Sequence, residues 1–417
     1  MKNEEYQIYI IGAGVSGLVA AQVLEQKGYH PVIIEGTERV GGRVKTDLID
    51  GYQLDHGFQV LLTAYPAAQK YLNFDDLDLQ HFLPGAAIFK KGSQKTLGDP
   101  LRDFSLLIPT LTSGVGNLWD KVKILQLNQR LKKTKLTAIF EQPEKSTLKY
   151  LVDLGFSNAM IHTFFKPFFS GIFLEDKLET SSRMFEFVYK MFGEGFAALP
   201  KAGIEAIPQQ LKKNLKTTTF LLNTKVKTVE DGKIILMDGT ELNSHYTIIA
   251  TEASGLVSHL KNQETQWKSC DTFYFETETR NIQQPLIGLI ADEESLINNI
   301  FYHKSLKTKS AGAKELLSVT VVKPHQLTKE ALQKQVEVAL EQFCNIEVTR
   351  CIKHYAIPQA LPKLEQLRYD MNPSETRLTS RIFLAGDVQL NGSLNAAMIA
   401  GERAGFGIAE VIEGTFA

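Results

Sequence analysis

Long apolar runs are missing from this sequence. No stretch approaches the roughly 20 consecutive apolar residues a membrane-crossing helix needs. Cysteine is scarce: Cys270, Cys344 and Cys351 make no CxxC pair, which points to reduced structural thiols and a cytoplasmic setting, with a Cys344–Cys351 bridge left open. An excess of one charge is missing too. The 46 Lys and Arg residues nearly cancel the 47 Asp and Glu, so nucleic acid is not expected as a partner. The nine histidines show no metal-ligand spacing, and there is no HExxH, no Ser-His-Asp order and no persuasive carboxylate pair. Neither a metal centre nor a hydrolase triad is expected. Repeats and low-complexity tracts are absent as well.

What is present is the composition of an ordinary soluble globular protein, 43% hydrophobic and 22% charged, with length enough for two or three domains. Its most informative stretch is "IYIIGAGVSGLVAAQVLEQKGYHPVIIE". Glu4 and Glu5 ahead of it spoil a positive n-region, so a secretory signal is not expected. "QIYII" reads as a strand buried on both faces. Gly12, Gly14 and Gly17 then form G-x-G-x-x-G. The first glycine permits a tight turn, the second lets a pyrophosphate approach the backbone, and the third lets helix pack on strand. "SGLVAAQVLEQK" reads as a helix stopped by Gly28, and "PVIIE" as a second strand ending at Glu35, eighteen residues after Gly17. A carboxylate there accepts bonds from both ribose hydroxyls of an adenosine and repels a 2′-phosphate. Strand, glycine turn, helix, strand and acid together predict an ADP-binding βαβ unit, with the pyrophosphate on the helix N-terminus.

Two further features favour FAD over NAD. "GGRVKT" brings Gly42 and Arg43 directly after the unit, and a Gly-Gly turn followed by Arg can carry a guanidinium to a phosphate. Near the other end, "IFLAG" reads as a buried strand closed by Gly386-Asp387, followed by a small-residue helix, "SLNAAMIAGERAG". A second strand–Gly–Asp–helix unit would grip the other half of a long cofactor.

With these motifs the chain resembles the flavin amine oxidase/phytoene desaturase superfamily, which includes protoporphyrinogen oxidases and carotenoid desaturases and isomerases. The resemblance rests on the stretches above together with "LDHGFQVL", "LPKAGIEAIPQQL", "NTKVKTVE" and "TIIAT", in the family's order across nearly the whole chain. It implies an α/β fold: a Rossmann-like, glutathione-reductase-type FAD-binding domain with an inserted α+β substrate domain. The FAD domain would take residues 1–85, 200–260 and 360–417, and the substrate domain 86–199 and 261–359. The resemblance further implies that Gly12, Gly14 and Gly17 meet the pyrophosphate and Glu35 the ribose. Gly42 and Arg43 would lie along the phosphates, and Val226 would hold adenine through its backbone. Asp387, after Gly386, would bond the ribityl or phosphate region. Ser393, Leu394 and Asn395 would approach the pyrimidine edge of the flavin, and Gly57 the turn beneath it, with His56, Phe58 and Gln59 nearby.

The intervening chain is less explicit. Phe164, Phe165, Phe168, Phe169 and Phe173 crowd one segment that reads first as buried core. In this family the same region covers the flavin, so it could also line an apolar pocket or touch a membrane surface. "KILQLNQRLKKT" reads as an amphipathic basic helix with a solvated face. "NTKVKTVEDGKIILMDGTELN" reads as strands joined by Asp-Gly turns. No catalytic side chain stands out. His56 is a weak candidate whose simpler role is structural, and Lys323 and Tyr355 are as readily a strand-end charge and a packed ring. The C-terminal motif lacks the aromatic-rich form of amine oxidases, which favours oxidation, desaturation or isomerisation of an apolar small molecule. An amine oxidase releasing peroxide and a flavin-free lipid-escort protein of the same fold are the alternatives. A cytoplasmic location is expected, with peripheral membrane contact left open.

Overall fold

The computed structural model describes residues 5–99 and 102–415, and of Leu111 the backbone alone; Glu4 of the acidic start lies outside them. The opening apolar run forms the strand Ile8–Ile11 and the glycine turn leads into the helix Val15–Gln26. Gly28, at φ 82°, ends that helix with the left-handed residue a Cβ would disfavour. Ile8–Ile11 lies at the centre of a five-stranded parallel sheet in the order Thr219–Leu221, Val32–Ile34, Ile8–Ile11, Tyr246–Ile249, Ile382–Leu384. Its strands read as unbroken apolar runs because both faces are covered.

The helix Leu394–Glu413 closes this layer against the first helix. A Cβ on Gly401 would stand 2.2 Å from the Ser16 carbonyl, and one on Gly405 2.9 Å from the Val23 side chain. The small residues near the end of the chain therefore let two helix backbones touch. This contact joins the two motifs separated by some 350 residues.

A seven-stranded mixed sheet makes the second layer, in the order Arg350–Pro362, Trp267–Thr277, Glu315–Val321, Ile297–Tyr302, Ile287–Ile290, Gly85–Lys90, Ser93–Gly98. All its pairings are antiparallel except that of Ile287–Ile290 with Gly85–Lys90. Residues 104–194 fold as a run of helices, among them Leu118–Lys133, Lys166–Phe173 and Ser182–Glu194. The segment 226–243 is a three-stranded antiparallel meander with Gly232 and Gly239 at positive φ in its two Asp-Gly turns. The three cysteines are free, so the Cys344–Cys351 bridge does not form. Among the described residues no helix is long and apolar enough to cross a membrane, and no cluster of side chains could hold a metal ion.

Candidate functional site

One continuous cavity of about 1320 Å³ runs from the glycine turns to the helical segment. That exceeds the roughly 300–1,000 Å³ of an ordinary small-molecule site, leaving room for a long cofactor and a second ligand.

Its inner end is built from backbone. Gly12 holds φ 105°, and a Cβ there would lie 3.0 Å from the Ala250 carbonyl. Gly14 caps the first helix, and a Cβ on it would meet nothing within 4 Å. Its missing side chain is therefore the opening through which a ligand reaches the helix N-terminus. Gly17 faces inward, where a Cβ would fall 2.1 Å from the Gly12 carbonyl, so it serves packing and does not line the cavity. The helix start has no acidic residue in its first turn and no side-chain cap. Ser16 lines the cavity, and its hydroxyl is buried without a hydrogen-bond partner among the described residues. An uncapped helix N-terminus with an orphaned hydroxyl is what a pyrophosphate would complete.

Glu35 stands just past Val32–Ile34. Its carboxylate accepts the Ala13 N–H at 2.8 Å and the Thr37 N–H and hydroxyl at 2.9 and 2.7 Å. These bonds fix it at the cavity edge, where lone pairs remain for a ribose. Gly42, at φ 60°, brings the next turn against Gly14, where its Cβ would lie 3.3 Å from the Gly14 Cα. Arg43 reaches across to Asp387 in an ion pair, bonds the Ala360 carbonyl at 3.2 Å and stacks 5.1 Å over Trp267. Gly386 takes φ 125° to turn Asp387 inward. Ser393 and Leu394 line the cavity at the start of the last helix, with the Ser393 hydroxyl spent as its cap.

Two expected ligand contacts stand off the wall. Val226 begins its strand packed against the cluster of Ile11, Ile34 and Ile249. Asn395 is fully buried and accepts the Ala67 N–H at 3.0 Å, tying the last helix to the residues after "HGFQVL".

Gly57, at φ 90°, and His56 do line the cavity. His56 lies 4.5 Å, centroid to centroid, from Tyr355 at an interplanar angle of 33°. Behind both rings sits Asp47. It accepts from the Tyr355 hydroxyl at 2.7 Å, from Arg39 at 2.5 Å, and pairs with His56 Nε2 at 2.8 Å. Burial would raise this carboxyl, but the bonds from Tyr355, Arg39 and His56 outweigh it and hold it down to about 2. Tyr355 moves the other way, kept protonated by burial and by its bond to Asp47. Sequence reasoning missed Asp47, Ser16 and Trp267. Lys323, by contrast, donates to the Glu293 and Ser295 carbonyls and takes no part in the cavity.

The outer part of the cavity is built from side chains. Phe58, Phe82, Phe164, Phe168, Phe169, Phe192 and Phe196 line it. Phe165 and Phe173 of the same segment are core instead, so the Phe-rich stretch is both core and wall. The helix Leu118–Lys133 differs from expectation: Lys121, Ile124, Leu125 and Asn128 face the cavity rather than only solvent. The lining carboxylates are Glu35, Asp99, Glu252 and Asp387. The first, third and fourth flank the glycine turns, and Asp99 follows the strand Ser93–Gly98. Asp99 alone lies near the phenylalanine wall, beside Arg102 and Tyr189.

Comparison with known proteins agrees with this layout. Residues 15–405 match the family described as flavin containing amine oxidoreductase. The chain belongs to that family. An L-amino-acid oxidase from Trimeresurus stejnegeri is 30% identical over 158 residues, 36% of this chain and 31% of that protein. The chain thus spans about a third of that curated relative. An oxidoreductase from Methanosarcina mazei shares the fold at a TM-score of 0.71 and 17% identity, covering 98% of this chain and 100% of its own. A CLA-producing fatty acid isomerase from P. acnes does so at 0.69 and 15%, covering all of both chains.

Proposed function

We propose that this family member holds FAD in the glycine-lined cradle and oxidises, desaturates or isomerises a largely apolar small molecule in the outer cavity. The carrying observation is the wall itself: seven phenylalanines, with Asp99 the one carboxylate near them and that set against Arg102. An ammonium group there would have to compete with Arg102 for Asp99, and burying an unpaired charge is costly. An apolar framework suits the same surface.

The cradle fits the cofactor through the uncapped first helix, the unpartnered Ser16 hydroxyl and the anchored Glu35. Ser16 and the N–H groups after Gly14 would take the pyrophosphate, Glu35 the ribose, and Arg43 would neutralise a phosphate beside Asp387. When bound, FAD supplies two-electron acceptance as hydride from a C–H bond. The chain's contribution is position, dryness and charge. His56 and Tyr355 form a fixed polar face, held by Asp47, against the apolar one. In that arrangement the Tyr355 proton stays on its oxygen, so the ring orients and does not act as a base.

A second reading, an amine oxidase, is favoured by the His56–Tyr355 ring pair with an acid behind it. Rings 4.5 Å apart are already in contact and leave no space for an amine between them. Asp47 is also engaged by three donors. A flavin-free escort protein has no use for an open, uncapped pyrophosphate cradle, and would purify colourless.

The test is anaerobic titration of the yellow protein. Bleaching by long-chain unsaturated acids or polyenes, with none by amines or L-amino acids, is the expected result. A flavin-reducing isomerase would instead bleach only with an added reductant and then convert substrate without net turnover of oxidant. Peroxide release with amines would overturn the proposal.

A further inference from the structure

The large sheet presents a row of polar side chains to the otherwise apolar outer cavity. Three neighbouring strands set Thr272, Thr320 and Asn299 side by side: Thr272 pairs with Thr320, and Thr320 with Asn299. Tyr355 pairs with Thr272 at one end of the row, its hydroxyl spent on Asp47. Directly paired residues share a face of the sheet, and Tyr355, Thr320 and Asn299 all line the cavity. The other face of the same strands, with Phe273, Val319 and Ile300, packs into a separate apolar core. A Cβ on Gly171 would lie 2.9 Å from Asn299 Oδ1, so the row runs beneath the helix that carries Phe168 and Phe169. Thr272, Thr320 and Asn299 are all buried. Valine has the shape of threonine and favours strands equally, so packing alone does not call for two hydroxyls here.

The row is rich in donors and poor in acceptors. Asn298 Nδ2 donates to the Pro167 carbonyl at 3.1 Å and to Asn299 Oδ1 at 3.0 Å. Those bonds occupy the Asn299 oxygen and fix its amide, whose nitrogen reaches the Thr320 hydroxyl at 3.4 Å. The Thr320 hydroxyl thus receives a bond and, among the described residues, finds no acceptor for its own proton. The Thr272 hydroxyl, fully buried, has no oxygen or nitrogen partner among them and meets only the Cys270 thiol, a weak one. One amide N–H and two hydroxyl protons therefore await an acceptor, and leaving such groups unpaired is costly. Charge is absent from the same surface. No lysine or arginine of this sheet lines the cavity. Lys268, on the strand of Thr272, donates instead to the Phe173 carbonyl and the Thr180 hydroxyl at 3.0 and 2.9 Å.

We infer that this row is a recognition site for a neutral oxygen acceptor, a carbonyl oxygen carried on the framework of an apolar molecule. Thr320 and Asn299 would donate to it directly, and Thr272, one strand further in, through one water. A pure hydrocarbon would leave all three donors unpaired. A carboxylate would sit there without a cation. The inference rests on the outer cavity being the substrate chamber of the proposed function, and it narrows the substrate from apolar molecules at large to those bearing a carbonyl. Its readout is affinity and not flavin bleaching. Failure here leaves a bleaching result standing, and peroxide release with amines would remove that function without touching these affinities.

The flavin-loaded protein is titrated calorimetrically with decane, with the decanone isomers and with decanoate. Thr320→Val should weaken the tightest decanone about tenfold, because the ligand oxygen then loses its donor, while decane binds as before and flavin content is unchanged. Thr320→Ser, which keeps the hydroxyl, should hold the decanone as the wild type does. Thr272→Val should raise the melting temperature of the ligand-free protein by about 1 °C, since a hydroxyl without a partner gives way to a methyl of the same shape. The inference is overturned if Thr320→Val weakens decane and decanone alike or neither, if Thr320→Ser loses the decanone, or if no decanone binds the wild type. It is equally overturned if Thr272→Val lowers the melting temperature, since its hydroxyl would then already be bonded within the fold. Decanoate held as tightly as the decanone, and lost in the same way from Thr320→Val, would put an anion on the row and remove the neutral assignment.

Discussion

The two ends of the cavity are made by different means. The inner end is backbone: glycines, helix termini and two turns held at positive φ. The outer end is side chain: aromatic rings from three separate parts of the chain. A backbone-built site tolerates almost no change in residue type, because the missing Cβ is the feature. A side-chain wall can be repacked while remaining apolar. The cradle is accordingly the less tolerant end, and under the proposed function the wall is the part that would set what the chain accepts.

Substitutions sharpen that contrast, beginning with the most damaging. Gly401→Val should prevent stable folding, because its Cβ would lie 2.2 Å from the Ser16 carbonyl and neither helix can yield without parting from the sheet; soluble yield and far-UV dichroism check this. Gly14→Val should do the opposite: fold with a near-native melting temperature, since nothing lies within 4 Å of its Cβ, yet contain no flavin. A yellow Gly14→Val protein would break the assignment of the cradle. Glu35→Ala leaves the turn intact but removes the ribose acceptor, and about 10- to 100-fold weaker flavin retention is expected from the loss of a charge-assisted pair of bonds, read by dialysis against absorbance. At the other end, Phe168→Ala should cost about 1–3 kcal/mol of stability, a partly buried ring lost from the wall. It should keep its flavin while changing which substrates bleach it.

The same contrast governs what could be read from the sequence. Gly12, Gly42 and Gly386 were legible because each holds a positive φ that other residues fit poorly, and Gly14 because its missing side chain leaves the helix start open. The small-residue helix announced a backbone contact, and the first helix is its partner. The phenylalanines were not separable in advance. Phe164 and Phe165 are adjacent, one on the wall and one in the core. A π-helical turn at Ile161–Phe165 also shifts the helical register there, so a 3.6-residue period misplaces the phenylalanines of the next helix. Asp47 was invisible for another reason: Tyr355, which bonds it, lies 308 residues along the chain. Asn395 shows a motif position can be right for the fold while its side chain supports the site from behind.

The smallest effect concerns two carboxylates at the open end of one hairpin, Thr46–Ile49 with Tyr52–Asp55, where Asp55 lies opposite Thr46 and Asp47 opposite Leu54. Asp55 is fully buried, and although Thr46 and the Ile204 N–H donate to it, burial prevails and pushes it from 3.8 up to about 6. Its folded form binds the proton more tightly than the unfolded chain does. The associated stability is therefore fully present below pH about 4 and lost as pH rises through about 6. Asp47, held down to about 2, contributes with the opposite sign: its stability is present above pH about 4 and lost as pH falls toward 2. Asp55→Asn should accordingly flatten the stability profile between about pH 4 and 6, by about 1–2 kcal/mol. Asp47→Asn should flatten it only on the acid side of 4. Urea unfolding of both variants across that range distinguishes them. If the two substitutions altered the same limb, the buried and the bonded carboxylate would not be distinct, and the polar face beneath the cavity would titrate as one unit.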